Sequence, residues 1–116
     1  MHLTNSMKGN DNFIENIMYL TTHIPQIREL CKQHKVERLY AFGSVLTERF
    51  SKNSDIDFLY TFKEDVPLLE VVDYYFSFQN GLEKTLNRPV DLTSEKDLKN
   101  PYFIEEVNAT KQLIYG

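Results

Sequence analysis

The chain is poor in cysteine: Cys31 stands alone among 116 residues. That excludes an internal disulfide and any zinc site built on paired thiolates. A basic surplus is also missing, with 13 Lys and Arg against 17 Asp and Glu and a formal charge of −4. Proteins that coat DNA or RNA need a basic face to neutralise phosphates, so direct nucleic-acid binding is not expected. No uninterrupted apolar run approaches the roughly 18 residues of a membrane span. Residues 1–10 are polar and lack the apolar core of a secretory signal, so they read as a loose, disordered tail. The remainder, 11–116, is the size of one domain with a single hydrophobic core. No repeat, low-complexity tract or linker interrupts it. These absences together predict a single-domain protein of the reducing cytoplasm.

What is present reads as alternating helices and strands. Phe13, Ile14, Ile17, Met18 and Thr21 fall at helical spacing. Pro25 suits a first helical turn, and Ile27, Leu30, Cys31 and His34 follow on one face. Strand character starts at Val36, and Leu39-Tyr40-Ala41-Phe42 is stopped by Gly43. Ser44 is placed to cap a short helix over 45–49. The clearest strand is 55–62, where a period of two sets Ile56, Phe58, Tyr60 and Phe62 against Asp55, Asp57 and Leu59. Pro67 opens a long helix to about Asn87, with a buried stripe expected from Leu68, Val71, Val72, Tyr75, Phe78, Leu82 and Leu86. A third strand over 89–93, a helix after Asn100-Pro101 and a final strand over 111–115 complete the chain. The order predicts an α/β (α+β) domain with a small mixed sheet of three to four strands covered by helices.

Three elements of this pattern carry chemistry. Gly43-Ser44 ends a strand and opens a helix, so a phosphate can approach the backbone where no side chain intervenes. In Ser54-Asp55-Ile56-Asp57, the two aspartates at i and i+2 share a strand face, roughly 6–7 Å apart. Like charges at that distance repel, and a divalent cation turns the arrangement favourable because carboxylate oxygens are natural magnesium ligands. The plain alternative is a solvated strand edge. Asp91, between Val90 and Leu92, can join the same face if its strand lies beside 55–62. Three carboxylates would then serve two metal ions, which activate an attacking oxygen and steady a leaving pyrophosphate.

Gly43-Ser44, ten intervening residues and Asp55-Ile56-Asp57 together resemble the signature of the polymerase-β-type nucleotidyltransferase superfamily. The likeness runs from about Val36 to the C-terminus, including Arg88-Pro89-Val90-Asp91 and Leu113-Ile114-Tyr115. In size the chain resembles the minimal, stand-alone members that work with helical HEPN-type partners. The resemblance implies that Asp55, Asp57 and Asp91 are catalytic and ligate two Mg2+ ions, with Asp91 helping to deprotonate the acceptor hydroxyl. It also implies that Gly43 and Ser44 hold the triphosphate of ATP, with Arg49, Lys52 and Ser54 as further nucleotide contacts. Many relatives place Ala-Arg-Gly after the serine, where this chain has Thr47-Glu48-Arg49.

The remaining candidates read as structure. His2, His23 and His34 lie at no metal-ligand spacing, and Cys31 sits at a buried helical position. Residues 28–52 hold six basic and three acidic side chains, a net of +3 within an acidic chain, which is either a solvated face or a nucleotide-facing bias. Tyr74, Tyr75, Phe76 and Phe78 wrap too far around one helix to bury completely, so part of the group is expected on a partner surface. By analogy the function is transfer of a nucleoside monophosphate to a hydroxyl on a HEPN partner, in an antitoxin. The alternative is a non-catalytic module that neutralises its partner by occlusion, and the Thr47-Glu48-Arg49 departure favours it. Self-association is left open.

Overall fold

The computed structural model describes residues 18–43 and 55–116. The expected tail, most of the first helix, and Ser44 to Ser54 lie outside the described residues. Residues 18–22 are helical, and Pro25 then stands in the first turn of α1 (Ile24–Gln33). The strands are β1 (Val36–Phe42), β2 (Ile56–Phe62), β3 (Val90–Ser94) and β4 (Gln112–Tyr115). Between β2 and β3 runs α2 (Leu68–Leu86), and between β3 and β4 a short 3-10 turn (Glu95–Asp97) and α3 (Pro101–Thr110). The sheet has the order β3-β2-β1-β4. β1 is antiparallel to β2 and β4, whereas β2 and β3 are parallel, joined by α2 as a crossover. The small mixed sheet covered by helices is therefore as expected.

Both sheet faces are covered, and this decides where the site can open. On one face Ile56, Phe58, Leu39, Ala41, Val90 and Leu92 pack against Ile27 and Cys31 of α1 and against Phe78, Leu82 and Leu86 of α2. The two helices approach closely at Gly81, where an added Cβ would stand 2.8 Å from Leu30 Cδ2. Its cost in helix propensity thus has a packing reason. A bulge between Val36 and Arg38 shifts the register of β1, so that Val36 and Leu39 both reach this core.

The opposite face changes character along β2. Thr61 donates to Glu95 Oε1 at 2.7 Å, and Arg38 Nε lies 3.4 Å from the same oxygen. Next, Leu59 and Phe42 are buried beneath Val107 of α3. α3 is held at its start by Asn100, whose Oδ1 accepts from the amides of Tyr102 and Phe103. Beyond Leu59 the face ends in Asp57 and Asp55. The face expected to hold Asp55, Asp57 and Leu59 together is thus divided: α3 covers its apolar part and leaves its acidic part.

Two expectations are corrected. The stripe on α2 is buried only at Phe78, Leu82 and Leu86, whereas Leu68 and Val72 are exposed. α2 is about 28 Å long at 1.5 Å per residue, longer than the strands it crosses, so its first turns overrun the sheet. The basic run is also partly structural. Arg28 Nε donates to the Ile114 carbonyl at 2.9 Å, and Lys35 Nζ stands 6.0 Å from the Tyr74 ring centroid. Among the described residues no helix is long and apolar enough to cross a membrane.

Candidate active site

The register of the parallel pair β2–β3 sets Asp57 directly beside Asp91. Side chains paired in this way leave the sheet on the same side, so the two carboxylates are neighbours. The pair is anchored one residue earlier, where the Ile56 amide donates to the Pro89 carbonyl at 3.0 Å. Asp55 stands just before β2, exposed, two residues from Asp57 and so on the same side. On the other flank Asp57 pairs with Phe42, the last residue of β1. Gly43 follows with φ +77°, a left-handed conformation that disfavours side chains. A Cβ there would stand 2.5 Å from Asp57 Oδ2. The absent side chain is what lets the Asp57 carboxylate lie against the backbone at this turn.

Electrostatics single out Asp57 among the three. Its carboxyl is pushed up to about 6 by burial first, then by the charges of Asp91 and Asp55. A carboxylate half-removed from water between two others is an unfavourable arrangement on its own, and a cation relieves it. Among the described residues no three acidic, histidine or cysteine side chains are gathered tightly enough to hold an ion as they stand. The fit to a divalent ion rests on the donor set: hard carboxylate oxygens from two adjacent strands, one of them laid against the side-chain-free backbone of Gly43. Ser44, Arg49, Lys52 and Ser54, expected as nucleotide contacts, lie outside the described residues.

Three positioning groups escape a reading of the sequence. The outer edge of β3 has no strand partner among the described residues, and α2 supplies side chains in its place. Glu83 Oε2 accepts from the Val90 amide at 2.9 Å, Gln79 Nε2 donates to the Val90 carbonyl at 3.0 Å, and Tyr75 Oη donates to the Leu92 carbonyl at 3.3 Å. These bonds hold the residues on either side of Asp91. The signal was present as polar residues at i, i+4 and i+8 of a helix, but only the crossover shows what they face. Two of the histidines belong to structure: His23 Nδ1 is 2.8 Å from the Tyr19 carbonyl, and His34 lies within hydrogen-bond distance of the Leu30 carbonyl and Ser77 Oγ, while His2 lies outside the described residues. Burial pushes the Cys31 thiol up to about 12, leaving it uncharged packing.

The family model described as Polymerase beta, Nucleotidyltransferase matches residues 25–116. The chain belongs to this family. It is a nucleotidyltransferase whose matched region contains every strand and every carboxylate described above. It is 31% identical over 88 residues to a Methanocaldococcus jannaschii protein provisionally named a protein adenylyltransferase, covering 76% of this chain and 84% of that one. A solved structure provisionally described as a minimal nucleotidyltransferase matches with a TM-score of 0.65 and 30% identity, over 80% of this chain and 90% of that chain. Another, a tri-AMPylated Shewanella oneidensis HEPN toxin in complex with an MNT antitoxin, matches with a TM-score of 0.57 and 18% identity. It covers 83% of this chain and 71% of that chain. At that identity the likeness concerns the fold of this nucleotidyltransferase.

Proposed function

We propose that the chain transfers AMP from ATP to a hydroxyl on a helical HEPN-type partner protein and thereby acts as an antitoxin. The observation that carries the reading is the pairing of Asp57 with Asp91, with Asp55 on the same side and the Asp57 carboxylate lying against Gly43. A relative named for protein adenylylation and a fold neighbour solved with an AMPylated HEPN toxin support the choice of acceptor.

In the proposed reaction the acceptor oxygen bonds to the α-phosphorus, the bond from that phosphorus to the bridging oxygen breaks, and pyrophosphate leaves with the electron pair. Two Mg2+ ions, held by Asp55, Asp57 and Asp91, would neutralise the triphosphate and lower the pKa of the acceptor hydroxyl. Gly43 and Ser44 admit the phosphates to the backbone. Asp91 lies at the strand edge of the trio, orients the acceptor hydroxyl and receives its proton. Arg49, Lys52 and Ser54 complete the nucleotide contacts in this reading.

The test uses ATP labelled at the α-phosphate and the protein encoded by the adjoining gene. Label should pass to that protein with the wild type and not with Asp57→Asn. Complex formation without transfer, indifferent to Mg2+, nucleotide and Asp57→Asn, would instead establish the occlusion-only module that Thr47-Glu48-Arg49 favours.

A further inference from the structure

The first half of α2 presents an apolar face that the fold leaves uncovered. Leu68, Leu69, Val72 and Phe76 are 85, 94, 60 and 60% exposed. Positions 68, 72 and 76 recur every four residues, so they lie along one flank of the helix. The other end of α2 is fixed by Phe78, Leu82 and Leu86 in the core, and the first turn carries Leu68 and Leu69 past the sheet while Phe76 lies on the outer side of the helix. Beside that turn lies a cavity of about 490 Å3, lined by apolar groups such as Val66, Leu68 and Val71 on one side and by the charged groups Lys63, Glu64, Lys96 and Asp97 on another. Contiguous apolar surface with a hollow next to it is how a binding face for an anchoring side chain is built.

We propose that this face docks a partner protein through an apolar strip flanked by Lys and Arg, with one apolar side chain seated in the cavity. Charge selects that occupant. Along this stretch and the cavity wall the charged residues are Glu64, Asp65, Glu70, Asp73 and Asp97 against Lys63 and Lys96, a net of −3, all exposed. A second copy docking about a two-fold axis would bring these carboxylates against their own counterparts, and anionic lipid or nucleic acid would be repelled. A basic-flanked protein surface is attracted. The inference rests on the proposed function only in taking the partner to be the acceptor protein.

Position adds a consequence. Asp57 and Asp91 leave the sheet on the side opposite α2. β2 runs away from Asp57 to Phe62 before the chain turns into α2, so Leu68 and Leu69 stand about 17–20 Å away along the strand. Phe76, next to the Tyr75 that bonds Leu92, stands nearer on the outer side of the helix. Docking and transfer therefore occupy separate surfaces and can be lost separately.

The experiment measures binding of the adjoining gene's product by calorimetry, and transfer of label to it, for the wild type and three variants. The double variant Val72→Lys/Phe76→Lys should weaken binding at least ~100-fold, and Asp73→Lys about tenfold with a shallower salt dependence. Asp57→Asn should bind like the wild type and transfer nothing. Unchanged melting behaviour of the double variant, including the rise on adding Mg2+ and ATP, would show that it is folded. No complex with the wild type, or undiminished binding by the folded double variant, would overturn the proposal. So would a homodimer in the wild type that the double variant abolishes. Binding that depends on the face, without any transfer of label, would leave the docking surface standing and defeat the proposed function alone.

Discussion

Replacing Asp57 by asparagine keeps the shape of the side chain and removes its charge, so it separates what the carboxylate costs the fold from what it does. Folding pushes the Asp57 carboxyl from 3.8 up to about 6. That displacement corresponds to about 3 kcal/mol. Asp57 is only half-buried, and solvent screening brings the figure to about 1–2 kcal/mol. The direction follows from proton binding. Below about 3.8 the group is neutral in both folded and unfolded chains. Between 3.8 and 6 the unfolded chain releases a proton that the folded chain retains. Above about 6 the folded protein carries a desolvated charge beside Asp91 and Asp55. Stability linked to Asp57 is therefore present at low pH and lost as the pH rises through about 6. In EDTA at pH 7.5 we expect Asp57→Asn to melt about 4–10 °C above the wild type, with the gap closing near pH 4. Differential scanning calorimetry across that range measures it, and label transfer measured in parallel should be abolished. Equal pH dependence in the two proteins, or a destabilised variant at pH 7.5, would refute the claim that Asp57 is held at a cost to the fold.

Gly43→Ala should lose about 1–2 kcal/mol of stability, from the φ of +77° and the approach of the new Cβ to Asp57. It should also raise the KM for ATP, as thermal melts and steady-state kinetics would show. Glu83→Ala leaves the Val90 amide without its acceptor and should cost about 1–2 kcal/mol, while lowering kcat more than it changes the KM for ATP. Glu83→Gln, whose carbonyl oxygen can still accept, should recover most of both. Asn100→Ala removes the cap of α3 and should cost about 1 kcal/mol in urea unfolding, leaving the rate of transfer by folded protein unchanged.

The strands and helices were legible where a local rule decides them. Pro25 and Pro101 stand in first turns, Gly43 stops β1, and the alternation of Ile56, Phe58, Tyr60 and Phe62 sets one face of β2. The failures came where burial depends on element length or on a neighbour distant in sequence. Leu68 and Val72 continue the helical stripe of Phe78 and Leu82, and nothing local reveals that the sheet ends before the helix does. Leu59 alternates with Asp57 as though sharing its environment, yet α3, more than 40 residues later, closes over one and not the other. Arg28 and Lys35 look like part of a basic surface until the Ile114 carbonyl and the Tyr74 ring are brought beside them.

The site shows the same division at finer scale. Asp55 and Asp57 are tied by strand periodicity, so their shared side followed from spacing alone. Asp91 is tied to them only by register: a shift of one residue in the β2–β3 pairing would turn it to the other face. What prevents that shift is the bond from Ile56 to Pro89 on one edge and the Glu83 and Gln79 side chains on the other. Since α2 both supplies those side chains and carries the exposed face beyond the sheet, one helix clamps the third carboxylate at its end and offers a docking surface at its start. The clamp is made of side-chain bonds to one backbone residue and the docking face of apolar surface, so substitutions should separate them even though they share an element. Variants at Glu83 should lower the rate of transfer without altering capture of the adjoining gene's product, and variants at Phe76 should weaken capture while leaving the rate at saturating partner unchanged.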